Sequence, residues 1–155
     1  MAVKPIPDGY STVTPYLVID GAADAIAFYK KAFNAVEIFR MEGPDQRIGH
    51  AEIKIGNSHI MLADAFPEME IHSPKKLGGA GVSIMLYVDN VNVLYPQAIA
   101  AGGTELRPLQ DQFYGDRSGT LKDPFGHVWT IATHIADYSV EELRERAAAA
   151  MKQSG

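Results

Sequence analysis

The chain has 155 residues, a size suited to one compact domain that buries a core without help from disulfides or a structural metal. With 46% hydrophobic residues, 21% charged residues and a net charge of −5, it reads as globular and as repelling polyanions, which argues against nucleic acid as a partner. No apolar run approaches the ~20 residues a bilayer demands, no signal-peptide pattern opens the chain, and the lack of cysteine leaves His and carboxylates as the possible metal ligands. A cytoplasmic protein with no membrane partner is expected.

Residues 12–20, TVTPYLVID, are β-branched and aromatic and end at Asp20-Gly21, which predicts a strand running into a helix. In AADAIAFYKKAFNA, Ile26, Tyr29 and Phe33 recur at helical spacing, so an amphipathic helix follows. AVEIFRME alternates as a strand, and GHAEIKIGNSHIMLAD reads as a hairpin whose Gly56-Asn57 pair suits a type II′ turn. The segment AFPEMEIHSPKKLGGAG, residues 65–81, lacks periodicity and reads as a mobile linker able to cover a pocket.

The same order then recurs. VSIMLYVDNV is a strand, NVLYPQAIAA a helix closed by Gly102-Gly103, TELRPL a strand and RSGTLKDPFGHVWTIA a hairpin. Pro96 is tolerated if that helix begins near Asn92, because a first turn does not need its N–H. Asp20 maps to Asp89 and Ile48 to Arg117, 69 positions on in each case, as a duplicated βαβββ unit would give. Ser139 with Glu142 three residues later forms a capping box for a C-terminal helix, whose alanine-rich body suits packing on the surface or on a second subunit. The chain is thus one domain, 1–155, with module 1 at about 10–64, a linker at about 65–81, module 2 at about 82–134 and a helix at about 139–152.

DPFGHVW in the last hairpin, AIAFYKKAF in the first helix, HAEIKIGNSHIMLAD and FYGDRSGTLKDPFGHVW together resemble the vicinal oxygen chelate superfamily of glyoxalases, bleomycin-resistance proteins and dioxygenases, in its PhnB-like branch. The resemblance covers about Thr12 to Thr133. It implies an α+β fold in which two repeated βαβββ modules with curled mixed sheets form a concave cavity, the glyoxalase/bleomycin resistance/dihydroxybiphenyl dioxygenase fold. Helices cover the convex side. It also implies a homodimer, since relatives commonly assemble their cavities from modules of two subunits.

Period-two alternation then assigns faces. Leu17, Ile19, Ile60, Leu62, Trp129 and Ile131 belong to the helix side, leaving Thr14, Tyr16, His59, Met61, Ser83, Met85, Val128 and Thr130 for the cavity. Metal-dependent relatives carry His or Glu at the places held here by Thr14, Met61, Ser83 and Thr130. Three hydroxyls and a thioether make a poor divalent site, so no cofactor is expected and a divalent metal is the minority alternative. His50 and Glu52 share one strand face, with Glu52 expected opposite Met61. They are a pocket-lining polar pair, a solvated pair, or an acid–base or metal-binding pair.

By its register with Leu121, Arg117 is placed on the concave face as an anchor for an anionic or planar ligand, or else in a salt bridge with Asp111 or Asp116. Tyr114 is a stacking surface at the mouth or a packing anchor. His127 is expected to be exposed, His134 leaves the last strand with the cavity rim as its minority placement, and His72 is uninformative; Asp123-Pro124 and Gly126 set a turn. The reading that results is a small organic or antibiotic-like ligand bound by Thr14, Tyr16, His50, Glu52, Met61, Ser83, Met85, Tyr114, Arg117 and Thr130, with Tyr87 adding aromatic surface. A lyase, isomerase or dioxygenase-like enzyme using Glu52 or His50 is the alternative, and an interaction module with self-filled faces is a third.

Overall fold

The computed structural model describes residues 2–155. The first module is β1 (Tyr16–Ile19), α1 (Ala22–Phe33), β2 (Val36–Glu42), β3 (Ile48–Ile55) and β4 (Ser58–Asp64). A linker with a 3₁₀ turn (Pro67–Met69) and a one-turn helix α2 (Pro74–Leu77) leads to the second module: β5 (Ser83–Tyr87), α3 (Val91–Ala101), β6 (Thr104–Asp111), β7 (Asp116–Lys122) and β8 (Val128–His134). Helix α4 (Val140–Gln153) ends the chain. The sheets have matching orders, β1-β4-β3-β2 and β5-β8-β7-β6, each with one parallel pair at the β1 or β5 edge. This is the α+β architecture of two βαβββ modules, with the two sheets left unclosed.

Alternation explains why each sheet has one buried face. Ile53, Ala51, Ile60, Leu62, Leu17 and Ile19 are buried beneath α1, whose Ala22, Ala25, Ile26, Tyr29 and Phe33 recur at helical spacing. Helices α1 and α3 pack on each other, and Trp129 of β8 meets Tyr29 and Phe33 of α1 with ring centroids 5.3 and 4.7 Å apart. One apolar core therefore spans both modules.

Asp123 reinforces that junction. Buried in the β7–β8 turn, it accepts hydrogen bonds from Tyr29 Oη (2.6 Å), Trp129 Nε1 (2.9 Å) and the backbone N–H groups of Phe125 and His127. His127 is not simply exposed as expected: its part-buried Nε2 lies 3.1 Å from the Val18 carbonyl, so the turn grips the first module twice. Burial, together with the neighbouring carboxylate, holds the Tyr29 hydroxyl well above its ordinary range.

Helix capping follows the duplication. Asp64 accepts from the N–H groups of Gly21 and Ala22 at the start of α1, and Thr133, 69 positions on, accepts from Val91 N–H at the start of α3. Helix α3 begins at Val91, so Pro96 lies beyond the first turn, contrary to the expected placement. The first strand is shorter than predicted: pairing begins at Tyr16 with Met61, since Pro15 lacks an N–H, and Thr14 precedes it. Gly56 has φ 56° while Asn57 is not left-handed, the pattern of a type II′ turn.

The linker is more built than its composition suggests. Phe66 and Ile71 form a bridge, Arg47 stacks over Phe66 at 4.1 Å and bonds Glu68, and Ser73 and Pro74 are buried. Helix α4 has the Ser139 and Glu142 capping box but buries no side chain. No described helix is long and apolar enough to cross a membrane.

Candidate functional site on the concave faces

The face of the first sheet away from α1 carries one row with a residue from each strand: Tyr16, Met61, Glu52 and Phe39, paired edge to edge. His50, beside Glu52 on the same face, pairs with Met41 of β2. Glu52 is 8% exposed, an unusual burial for a carboxylate, while Tyr16, Phe39 and Met41 are 40–57% exposed. The His50 ring joins the polar members, with Nε2 3.1 Å from Glu52 Oε1 and Nδ1 2.8 Å from Tyr16 Oη. A carboxylate oxygen only accepts, so Nε2 carries the proton and, in the neutral ring, Nδ1 accepts from the Tyr16 hydroxyl. Partial burial raises the Tyr16 pKa above its ordinary value, which keeps that hydroxyl a donor.

The corresponding row on the second sheet ends in Arg107 of β6, which pairs with Thr120 where Phe39 pairs with Glu52 in the first. Met85, Thr130 and Thr120 lie side by side, and the two threonine hydroxyls are 2.8 Å apart. Thus Glu52 and His50 of module 1 correspond to Thr120 and Ser118 in module 2. Between the free edges of β1 and β5 runs a groove of about 640 Å³ lined by Tyr16, Ser83 and Met85, with Pro74 and Leu77 of the linker opposite. Thr14 lines a smaller recess near His59 and Met85. Tyr16 and Met85, the edge members of the two rows, also line this groove, so its apolar wall joins the Tyr16, His50 and Glu52 chain at β1.

Two predicted site residues lie elsewhere. Arg117 is on the helix-covered face, where Nε donates to Asn92 Oδ1 (2.7 Å) and Nη1 to Asp111 Oδ1 (3.0 Å). Its parity with Leu121 was the correct clue, but Leu121 is fully buried, and a Cβ added at the intervening Gly119 would strike the Tyr95 ring of α3 at 2.6 Å. Tyr114 is in the β6–β7 loop, edge-on to Phe113 and close enough to Tyr87 to influence its hydroxyl.

That loop adjoins a second polar cluster that sequence reasoning did not assemble. Asp116, 2% exposed, accepts from Tyr87 Oη (2.7 Å) and His134 Nδ1 (2.7 Å), while His134 Nε2 bonds Asp137 (2.9 Å). Both ring nitrogens of His134 meet carboxylates, which calls for the doubly protonated ring. Asp116, followed by Asp137, accordingly raises the His134 pKa. Phe39 and Met41 were also missed, although the alternation of AVEIFRME places them on one face.

The resemblance assigns the family's metal positions to Thr14, Met61, Ser83 and Thr130. Their hydroxyls and thioether do not fit a divalent first-row ion, and among the described residues no three His, Asp or Glu side chains are grouped to hold one.

The fold and concave surface define a two-module βαβββ cavity protein. The profile of the Glyoxalase/Bleomycin resistance protein/Dioxygenase superfamily matches residues 12–131. A Mycobacterium bovis protein is 40% identical over 146 residues, covering 92% of this chain and 93% of its own. The chain belongs to that superfamily. The PhnB protein of Bacillus cereus has a similar fold (TM-score 0.61, 17% identity, covering 79% of this chain and 99% of that one). So does the fosfomycin resistance protein FosX of Listeria monocytogenes (TM-score 0.62, 17% identity, covering 86% of this chain and 97% of that one).

Proposed function

We propose that the concave surface sequesters a small organic ligand, of antibiotic-like or polar aromatic type, without a metal, in a cytoplasmic homodimer. The observation that carries this reading is the hydrogen-bonded chain from Tyr16 through His50 to Glu52, set in a row with Met61 and Phe39. An apolar wall supplies contact area while the chain, its own donors spent internally, leaves the Tyr16 and Glu52 oxygens as fixed acceptors for a bound molecule's donors. The fosfomycin resistance protein among the structural relatives supports an antibiotic-like ligand class. Exposed Tyr16, Phe39 and Met41 on the open face of the first sheet support a second copy as the natural cover.

The second reading is an enzyme in which Glu52 acts as base with His50 beside it. It is favoured by the burial of Glu52 and its hydrogen bond to an imidazole. A thermal-shift screen of an antibiotic and aromatic-metabolite library tests the first reading, because a ligand that favours the folded state raises its stability. Stabilising compounds should lose roughly 10-fold or more in affinity in His50→Ala and Glu52→Ala. Hits that bind both variants undiminished would sink the proposed role of the row. Turnover of a hit by wild type but not by Glu52→Gln would favour the enzyme.

A further inference from the structure

The duplicated modules have equivalent seats at opposite ends of the molecule, and only one is filled by the protein itself. At the filled end the β7–β8 turn inserts Pro124 and Phe125. Phe125 is buried, its ring centroid 6.3 Å from that of Phe28 in α1 and its edge within van der Waals reach of Gly21, while Pro124 lies beside Gly102. The 69-residue offset carries Gly21 to Asn90 and Phe28 to Gln97, and the α3 cap Gly102 corresponds to the α1 cap Asn34. At that second end the β3–β4 turn is only Gly56 and Asn57, with no ring to insert. An open cavity of about 890 Å³ remains, lined by buried Phe33 and Leu94 and by exposed Asn34, Asn57, Asp89 and Asn90.

The polar lining has a consistent sense. The side-chain oxygens of Asn34, Asn57 and Asn90 are each occupied, accepting from Gln97 Nε2 (2.9 Å), Ser58 Oγ (3.1 Å) and Asn92 N–H (3.1 Å) respectively. None of their three amide NH₂ groups donates to a protein acceptor among the described residues. Asp89 is the only charged side chain in the lining, and neither Lys nor Arg contributes. Free amide donors suit a ligand oxygen, a lone carboxylate suits a cation over an anion, and the vacant ring seat suits an aromatic group.

We propose that this cavity is a second binding site, apart from the Tyr16, His50 and Glu52 row, for a small hydroxylated aromatic amine. The test is a titration of ¹⁵N-labelled full-length protein with tyramine and, as an anion of similar size, p-hydroxybenzoate. Tyramine should give saturable shifts at the side-chain amides of Asn34, Asn57 and Asn90. The benzoate should bind roughly 10-fold more weakly, because it loses the attraction of Asp89 and meets its repulsion. Asp89→Asn should weaken tyramine roughly 3-fold. Val93→Trp, at a lining position 61% exposed and so tolerant of change, should abolish binding without lowering Tm. Absence of saturable shifts, equal binding of amine and acid, or full binding by Val93→Trp would overturn the proposal. The His50→Ala/Glu52→Ala double variant should bind tyramine normally, which separates this site's fate from that of the concave row.

Discussion

Asp123 shows how one side chain can serve both a turn and a domain junction. Its four donors come from two modules, so Asp123→Ala strands the Tyr29 hydroxyl and the Trp129 indole in the core. Loss of such a buried network should cost about 3 kcal/mol, read from the denaturation midpoint at constant m-value; a loss near zero would mean that the donors find other partners. His134 behaves oppositely to an ordinary carboxylate pair. Its pKa is raised above 6.5 by Asp116 and Asp137, so its contribution is complete below about pH 6.5 and disappears as pH rises through the folded-state value. The Tm difference between wild type and His134→Gln should shrink from pH 6 to pH 8.5, and a constant difference would contradict the clamp. Glu37, held at about 2 by Arg40 and Lys30, loses its contribution only as pH falls from about 4.5 toward that value. At this scale the sequence was legible where a residue's role is local. The Tyr16 and His50 side chains project where strand parity puts them, whereas Arg117 required knowledge of which face Leu121 buries, and Asp123 required the position of α1.

Elements were more legible than residues, because period two and period 3.6 survive in a single sequence. The helices from Ala22 and Val91 and both hairpins stand where those periods place them. Local irregularities were hidden. Pairing in β2 and β3 shifts register between Met41 and Glu42, with Gly49 as the extra residue, and the longer β7–β8 turn offsets it, so Ile48 and Arg117 still correspond while His50 corresponds to Ser118. No pattern in residues 65–81 announces the bridge between Phe66 and Ile71, over which Arg47 of the β2–β3 loop stacks. Helix α4 offers an element-scale prediction. Ser139→Ala removes its cap at about 1 kcal/mol to the local helix, yet α4 buries no side chain. Amide exchange should quicken along α4 while the global Tm stays within about 1 °C; a large fall in Tm would show that α4 is packed against something, a second copy being the first candidate.

At the scale of the molecule, duplication gives two equivalent sheets that have diverged in chemistry. One carries His50 and Glu52 beside Met61, the other Ser118 and Thr120 beside Thr130. Their open faces lead to the homodimer proposed above: sedimentation velocity should give the mass of two chains, and Phe39→Glu, which puts a charge on an apolar face, should shift it toward one. A wild-type monomer at all concentrations would contradict that assembly. The proposed site works without a metal, since the positions that the resemblance assigns to the family's ligands are Thr14, Met61, Ser83 and Thr130. The most direct measurement is elemental analysis of untagged, dialysed protein, with thermal-shift titrations of Zn²⁺, Ni²⁺, Mn²⁺ and Fe²⁺ on wild type and on the His50→Ala/Glu52→Ala variant. The expected result is no stoichiometric metal and no saturable stabilisation. A metal bound one per chain and lost in the double variant would contradict it and make His50 and Glu52 the centre of an enzyme.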